Sequence, residues 1–159
     1  MMKKIAVFPG SFDPFTRAHQ DLVLRALPLF DEIVIAIGVN NSKQGLLPFE
    51  VREEAIKAVF KDESKVQVQR IQGLTVNFCR EVGAQFMLRG LRNGIDLEFE
   101  NAIAQNNLIL APEVESLFLL ARSGLGHISS TIVRDILKNG GDVSALVPDA
   151  ILPFLKTPE

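Results

Sequence analysis

Apolar positions alternate along this chain between two rhythms. Short, β-branched runs at Ile5 to Phe8, Ile33 to Ile37, Val66 to Ile71, Phe86 to Leu88 and Val114 to Leu120 have the length and continuity of strands buried on both faces. Between them, Leu22 to Phe30, Glu50 to Phe60, Thr75 to Val82 and Leu97 to Leu110 repeat apolar residues at helical spacing. Ile132 to Lys138 and Asp149 to Leu155 add terminal helices, separated by Gly140-Gly141 and stopped by Pro158. Strand–helix alternation implies parallel strands, since each return crosses over through a helix that covers a sheet face. The expected fold is α/β, a doubly wound parallel five-stranded sheet. With 159 residues and no repeat or low-complexity linker, a single domain over residues 1–159 is expected.

Chemistry is expected where that pattern breaks. In open parallel sheets the ligand crevice lies beyond the carboxyl ends of the strands. Gly10 and Ser11 follow the first strand, Lys43 the second, Gly73 to Thr75 the third, Arg89 to Arg92 the fourth and Ser129 to Thr131 the fifth. The first turn opens a helix for which Thr16 reads as N-cap and which carries His19 in its first turn. Free N–H groups and the positive end of a helix dipole suit a phosphate, and three successive hydroxyls at a second helix start exceed what one cap needs. Arg89 and Arg92 add a guanidinium pair able to grip phosphate oxygens in parallel. A single polyanion site at one sheet edge is the resulting expectation.

Each residue also has a plainer reading. Pro9, Gly10 and Pro14 could simply punctuate a loop, and Lys43 could be a solvated loop lysine. Glu98 and Glu100 could be surface charges or partners of the arginines; Arg134 either binds phosphate or pairs with Asp96 or Glu100. Asp13, preceding Pro14, reads as a loop-ordering residue rather than a metal ligand.

Composition narrows the classes. A formal net charge of −2 and a pI near 5.7 argue against a nucleic-acid-binding surface, so any cationic site is local. The apolar runs are short of a membrane span, and Met1-Met2-Lys3-Lys4 leads into a strand pattern instead of a signal peptide, so a cytoplasmic protein without a membrane segment is expected. Cys79 is the single cysteine; Val76, Phe78 and Val82 around it suggest a buried helix face, not a catalytic thiol. Two histidines and one cysteine give no ligand cluster for zinc.

The pattern G-S-F-D-P-x-T-x-x-H (Gly10 to His19) near the start and I-S-S-T-x-x-R (Ile128 to Arg134) near the end, together with Asn40-Asn41-Ser42-Lys43, resemble the nucleotidyltransferase superfamily with the T/H-x-x-H signature. Arg89-Gly90-Leu91-Arg92 followed by Asp96-Leu97-Glu98-Phe99-Glu100 is the most specific piece and resembles the bacterial phosphopantetheine adenylyltransferases. The likeness runs from Lys3 to about Leu155. It implies a Rossmann-like nucleotidyltransferase fold and transfer of AMP from ATP to 4′-phosphopantetheine, yielding dephospho-coenzyme A and pyrophosphate. By that resemblance His19, Lys43 and Arg89 are catalytic. ATP would meet Ser11, Phe12, His19, Gly90, Leu91, Arg92, Glu100, Leu125, Gly126, His127, Ile128, Ser129, Ser130 and Thr131. The acceptor would meet Ser11, Lys43, Thr75 and Arg89. It further implies Mg2+ held by substrate oxygens and water, a homohexamer, and coenzyme A as feedback inhibitor.

Other members sharing the outer motifs adenylylate nicotinate mononucleotide or transfer CMP to a polyol phosphate, and the middle segment disfavours both. A non-catalytic nucleotide or coenzyme A sensor is disfavoured by retention of His19, Lys43 and both arginines. The chain departs from the family pattern at Arg17-Ala18, where Asn-Gly is usual, and at Thr75, Asn77 and Asn106, on the presumed acceptor wall.

Overall fold

Five parallel strands carry the molecule: β1 (Ile5–Gly10), β2 (Glu32–Gly38), β3 (Val66–Ile71), β4 (Phe86–Leu91) and β5 (Glu115–Leu120), in the order β3-β2-β1-β4-β5. The computed structural model describes residues 2–39 and 45–155. Helices α1 (Arg17–Ala26), α2 (Phe49–Val59), α3 (Thr75–Val82), α4 (Gly94–Leu110) and α5 (Ser130–Lys138) cross between or follow the strands. Alternation decides which face each strand residue serves. Ala6, Phe8, Ile33, Ile35 and Ile37 pack with Val23, Ile56, Val133 and Ile151 on one side; Val7, Val34 and Ala36 pack with Val76, Cys79 and Ala111 on the other. Cys79 is fully buried and its thiol pKa is pushed up to about 11, chiefly by desolvation.

The sheet also explains why a crevice forms. The chain winds outward from β1 to β2 and β3, then returns to the other side of β1 as β4, so β1 and β4 flank the switch point. β1 and β2 stay in register from Ile5–Glu32 to Gly10–Ile37, whereas β1 and β4 pair only at Ala6–Phe86 and Val7–Met87. Beyond that the two strands part, and Pro9 has no N–H to offer across the gap.

Most elements lie where the hydrophobic pattern puts them, and the differences have local causes. α1 starts at Arg17, five residues before its first buried leucine, because Thr16 caps it. Pro28 then turns the expected last helical turn into a 3₁₀ segment, Leu27–Leu29. β4 runs to Leu91, so Arg89, Gly90 and Leu91 belong to the strand's end instead of the loop after it. The expected C-terminal helix is a 3₁₀ segment, Asp149–Phe154, with Pro153 inside it.

Candidate active site

β1 delivers Pro9 and Gly10 to the crevice, and the following turn brings Phe12 back beneath Gly10; a Cβ on Gly10 would lie 2.8 Å from the Phe12 ring, so glycine is required by close approach. Thr16 then caps α1 in a reciprocal arrangement. Its Oγ1 accepts the His19 N–H at 3.3 Å, and its own N–H donates to His19 Nδ1 at 3.0 Å. Because Nδ1 is an acceptor there, the neutral ring carries its proton on Nε2 and presents a donor. Phe8, Phe12 and Phe15 surround the imidazole at centroid distances of 6.1, 5.0 and 5.2 Å. Burial first, and the Arg89 charge second, lower its pKa to about 4, so His19 is neutral at physiological pH.

Arg89 spans the gap between the parted strands. Nη1 donates to the Pro9 carbonyl at 2.7 Å, while Nε and Nη2 form a fork on the Glu100 carboxylate of α4, Nη2–Oε1 being 2.6 Å. Of the guanidinium's five N–H groups, one on each terminal nitrogen is left for a ligand. Glu100 is nearly buried, so its charge requires this partner. Arg92 is exposed and held by Asp96 through its backbone N–H and side chain, at 2.9 to 3.0 Å. The hydrogen-bonded Arg92 guanidinium keeps the Asp96 carboxyl below the usual carboxylate range.

The three hydroxyls at α5 each have a partner. Ser129 caps the helix by accepting the Ile132 N–H, Ser130 donates to the Pro14 carbonyl at 2.7 Å, and Thr131 accepts from Arg134. Ser130 and Thr131 therefore offer a ligand their first-turn N–H groups, which have no intrahelical acceptor. Arg134 neither pairs with Asp96 or Glu100 nor reaches the crevice: it donates to the Asp13 carbonyl at 2.8 Å, tying α5 to the first turn. Asp13 orders its loop, accepting the Leu46 and Leu47 N–H groups at 2.7 and 2.8 Å.

Among the described residues, these parts enclose two clefts that share only Pro9, Gly10 and Arg89. The first, about 310 Å³, gathers Ser11, Phe12, Ala18, His19, Gly90, Leu91, Arg92, Leu125, Ile128, Ser129 and Ser130. Ala18 thus puts its methyl at the wall of this cleft. The second, about 390 Å³, gathers Thr75, Met87, Glu100, Asn107, Ser116 and Phe118, with the first-turn N–H groups of α3 at Thr75 and Val76. Glu100 faces this second cleft, away from the His19 side. Gly126, His127 and Thr131 stand just outside the first cleft's wall, and Asn77 and Asn106 outside the second's. Lys43 and Asn40 to Ser42 lie outside the described residues.

Sequence reasoning missed the far rim of the first cleft, where Arg25 and Arg122 flank Asp21 at 3.3 and 3.5 Å. An Asp–Arg pair four apart on α1 and an arginine just past β5 were the available signals. It also missed Met87, Ser116 and Phe118, ordinary strand residues until the crevice wall is known. Among the described residues, no group of three or more His, Cys, Asp or Glu could hold a metal ion, and no helix is long and apolar enough to cross a membrane.

A parallel α/β sheet with phosphate-sized donors at its switch point defines a nucleotide-handling class, and comparison with known proteins specifies it. Residues 7–136 match the cytidylyltransferase-like family. In fold, the chain is similar to a crystal structure from Vibrio parahaemolyticus assigned as a nicotinate-nucleotide adenylyltransferase, with a TM-score of 0.68 over 98% of this chain and 100% of that one at 21% identity. In sequence, it is 54% identical to the phosphopantetheine adenylyltransferase of Christiangramia forsetii over 94% of this chain and 98% of the relative. It is 53% identical to that of Flavobacterium psychrophilum over 92% and 96%. The chain belongs to the phosphopantetheine adenylyltransferases, within the cytidylyltransferase-like family.

Proposed function

We propose that this protein transfers AMP from ATP to 4′-phosphopantetheine, releasing pyrophosphate and forming dephospho-coenzyme A in coenzyme A biosynthesis. The observation that carries the reading is the pair of clefts joined at Arg89: two ligands can approach one cationic ridge from opposite sides. ATP occupies the cleft with His19 and the α5 N-terminus, and the acceptor's amide-rich arm lies along Thr75 and Asn107. An acceptor phosphate oxygen attacks the α-phosphorus as the bond to the β-phosphate oxygen breaks. No enzyme-bound intermediate is needed, so positioning and charge neutralisation carry the rate.

Neutral His19 donates from Nε2 to an α-phosphate oxygen, a role its capping bond to Thr16 pre-sets. Arg89 spends its two remaining N–H groups on phosphate at the junction. Lys43 supplies a further cation, on the resemblance alone. Mg2+ accompanies the triphosphate, held by substrate oxygens and water, which accords with a site whose nearest carboxylates, Asp21 and Glu100, are already engaged by arginines. ATP as substrate supports a cytoplasmic location.

The homohexamer implied by the family is supported by α4, on which Ile95, Phe99 and Ile103 form an exposed apolar row four residues apart, Ile95 being 79% and Phe99 68% exposed. Coenzyme A carries the product's adenylyl and pantetheine parts and so can span both clefts as a feedback inhibitor.

The test incubates purified protein with Mg2+ and ATP plus either 4′-phosphopantetheine or nicotinate mononucleotide, and in a parallel arm CTP plus a polyol phosphate, following pyrophosphate and the nucleotidylated product. Product with phosphopantetheine is expected. Product only with another acceptor overturns the substrate, and binding without any product favours a sensor.

A further inference from the structure

Asp13 and Arg52 are buried charges that take no part in the chemistry above, each only 4% exposed. Their environment is built around them. Arg52 Nη2 lies 3.3 Å from Asp13 Oδ2, Nε donates to the Leu47 carbonyl at 2.8 Å and Nη1 to the Ser11 carbonyl at 3.1 Å, while the guanidinium stacks on Phe49. Asp13 in turn accepts the Leu46 and Leu47 N–H groups, and a Cβ on Gly45 would collide with both partners. Three segments therefore meet at one ion pair: the turn after β1, residues 45–47, and α2.

Between the two turn groups that the pair contacts, the Ser11 carbonyl and the Asp13 carboxylate, stands Phe12. Its φ is +49°, a left-handed conformation that a bulky non-glycine residue holds only when its surroundings enforce it. Its ring is perpendicular to the His19 imidazole at 5.0 Å and fills the space beneath Gly10.

We propose that Asp13 and Arg52 are positioning residues for catalysis: by gripping the chain on both sides of Phe12 they hold it left-handed, and the Phe12 ring in turn fixes the His19 imidazole in the nucleotide cleft. The kinetic part of this inference rests on the adenylyl-transfer reading. An ion pair serving only to join α2 to the turn would stabilise the fold without governing His19. Arg52→Lys keeps the charge but loses the planar fork, and Asp13→Asn keeps the shape but loses the charge.

The experiment measures, for both variants in the full-length protein, thermal unfolding, kcat and KM for each substrate, and the imidazole titration by NMR. The last is tractable because the chain has only two histidines, His19 and the exposed His127. A folded variant should lose about tenfold or more in kcat with ATP KM changed less than about threefold, the pattern of misplacement rather than lost binding. The His19 pKa should rise from about 4 by roughly a unit or more as its aromatic cover loosens. Folded variants with unchanged kcat and an unmoved His19 titration overturn the proposal, and so does failure of both to fold, which makes the pair a condition of folding. A wild-type protein that forms no product refutes the proposed function instead, and the titration still judges the pair.

Discussion

The two clefts that meet at Arg89 are built on opposite principles. The His19 side is rigid and electrically prepared: Thr16 locks the imidazole, Glu100 and Pro9 aim Arg89, Asp96 holds Arg92, and α5 presents N–H groups that cannot move without unwinding a helix. Beyond the Arg89–Glu100 ion pair at the junction, the other side is lined by neutral or apolar groups, Thr75, Met87, Asn107, Ser116 and Phe118. A triphosphate is recognised by donors fixed in advance, since their reorganisation would cost what their charge contributes. A long amide-bearing arm is recognised by shape and a few neutral hydrogen bonds.

The strongest way to break this contrast is to remove the fixed donor on the His19 side. His19→Ala should lower kcat by roughly 10²- to 10³-fold, the scale for losing one prepared transition-state donor, with the acceptor KM nearly unchanged. Steady-state pyrophosphate release measures both. Unchanged turnover would leave the imidazole a mere helix cap.

Arg89 tests whether the clefts act as one site. Arg89→Ala should lower kcat/KM by about 30- to 100-fold for both substrates, the worth of about one charge-assisted hydrogen bond to each. It also strands the buried Glu100 carboxylate, so the melting temperature should fall. Adding Glu100→Gln should recover part of the stability but none of the turnover. A loss confined to one substrate would separate the clefts.

How legible each cleft was in the sequence follows from the same difference. Fixed donors need particular residue types at particular spacings, so Thr16 as N-cap, His19 beside it, and the hydroxyls from Ser129 could be read as a phosphate-suited rim, and the sheet's strands could be read from their apolar runs. What those groups bond to was legible only in part. Glu100, read either as an ATP contact by resemblance or as a partner of the arginines, grips Arg89 and faces the second cleft, whereas Arg134 had open alternatives, none of which was the Asp13 carbonyl. The Arg134 bond joins α5 to the turn after β1 across the length of the chain, which no local pattern encodes. Phe12's left-handed backbone was hidden for a related reason, since Ser11-Phe12-Asp13 carries no glycine to announce it.

The second cleft calls for a gentler probe. Thr75→Val keeps the side chain's shape and removes one hydroxyl, so the acceptor KM should rise about two- to tenfold, matching a neutral hydrogen bond of about 0.5–1.5 kcal/mol, while the ATP KM stays constant. A matching rise for ATP would show that Thr75 acts through the shared ridge.

The smallest expected effect is an absence of change, and it distinguishes a fixed neutral donor from a titrating one. With the His19 pKa near 4 instead of the ordinary value of about 6.5, the ring of the free protein stays neutral as pH falls through 6.5, so kcat/KM should show no His19 step there. Stability should show one. The unfolded chain takes up a proton at His19 near 6.5 and the folded chain only near 4, so this contribution is full above about 6.5 and is lost as pH falls between these values. His19→Gln, which cannot titrate, should flatten that part of the stability profile. A kcat/KM step near 6.5 that vanishes in the variant would mean that the imidazole works by exchanging its proton, and the His19 side would lose its claim to be prepared in advance.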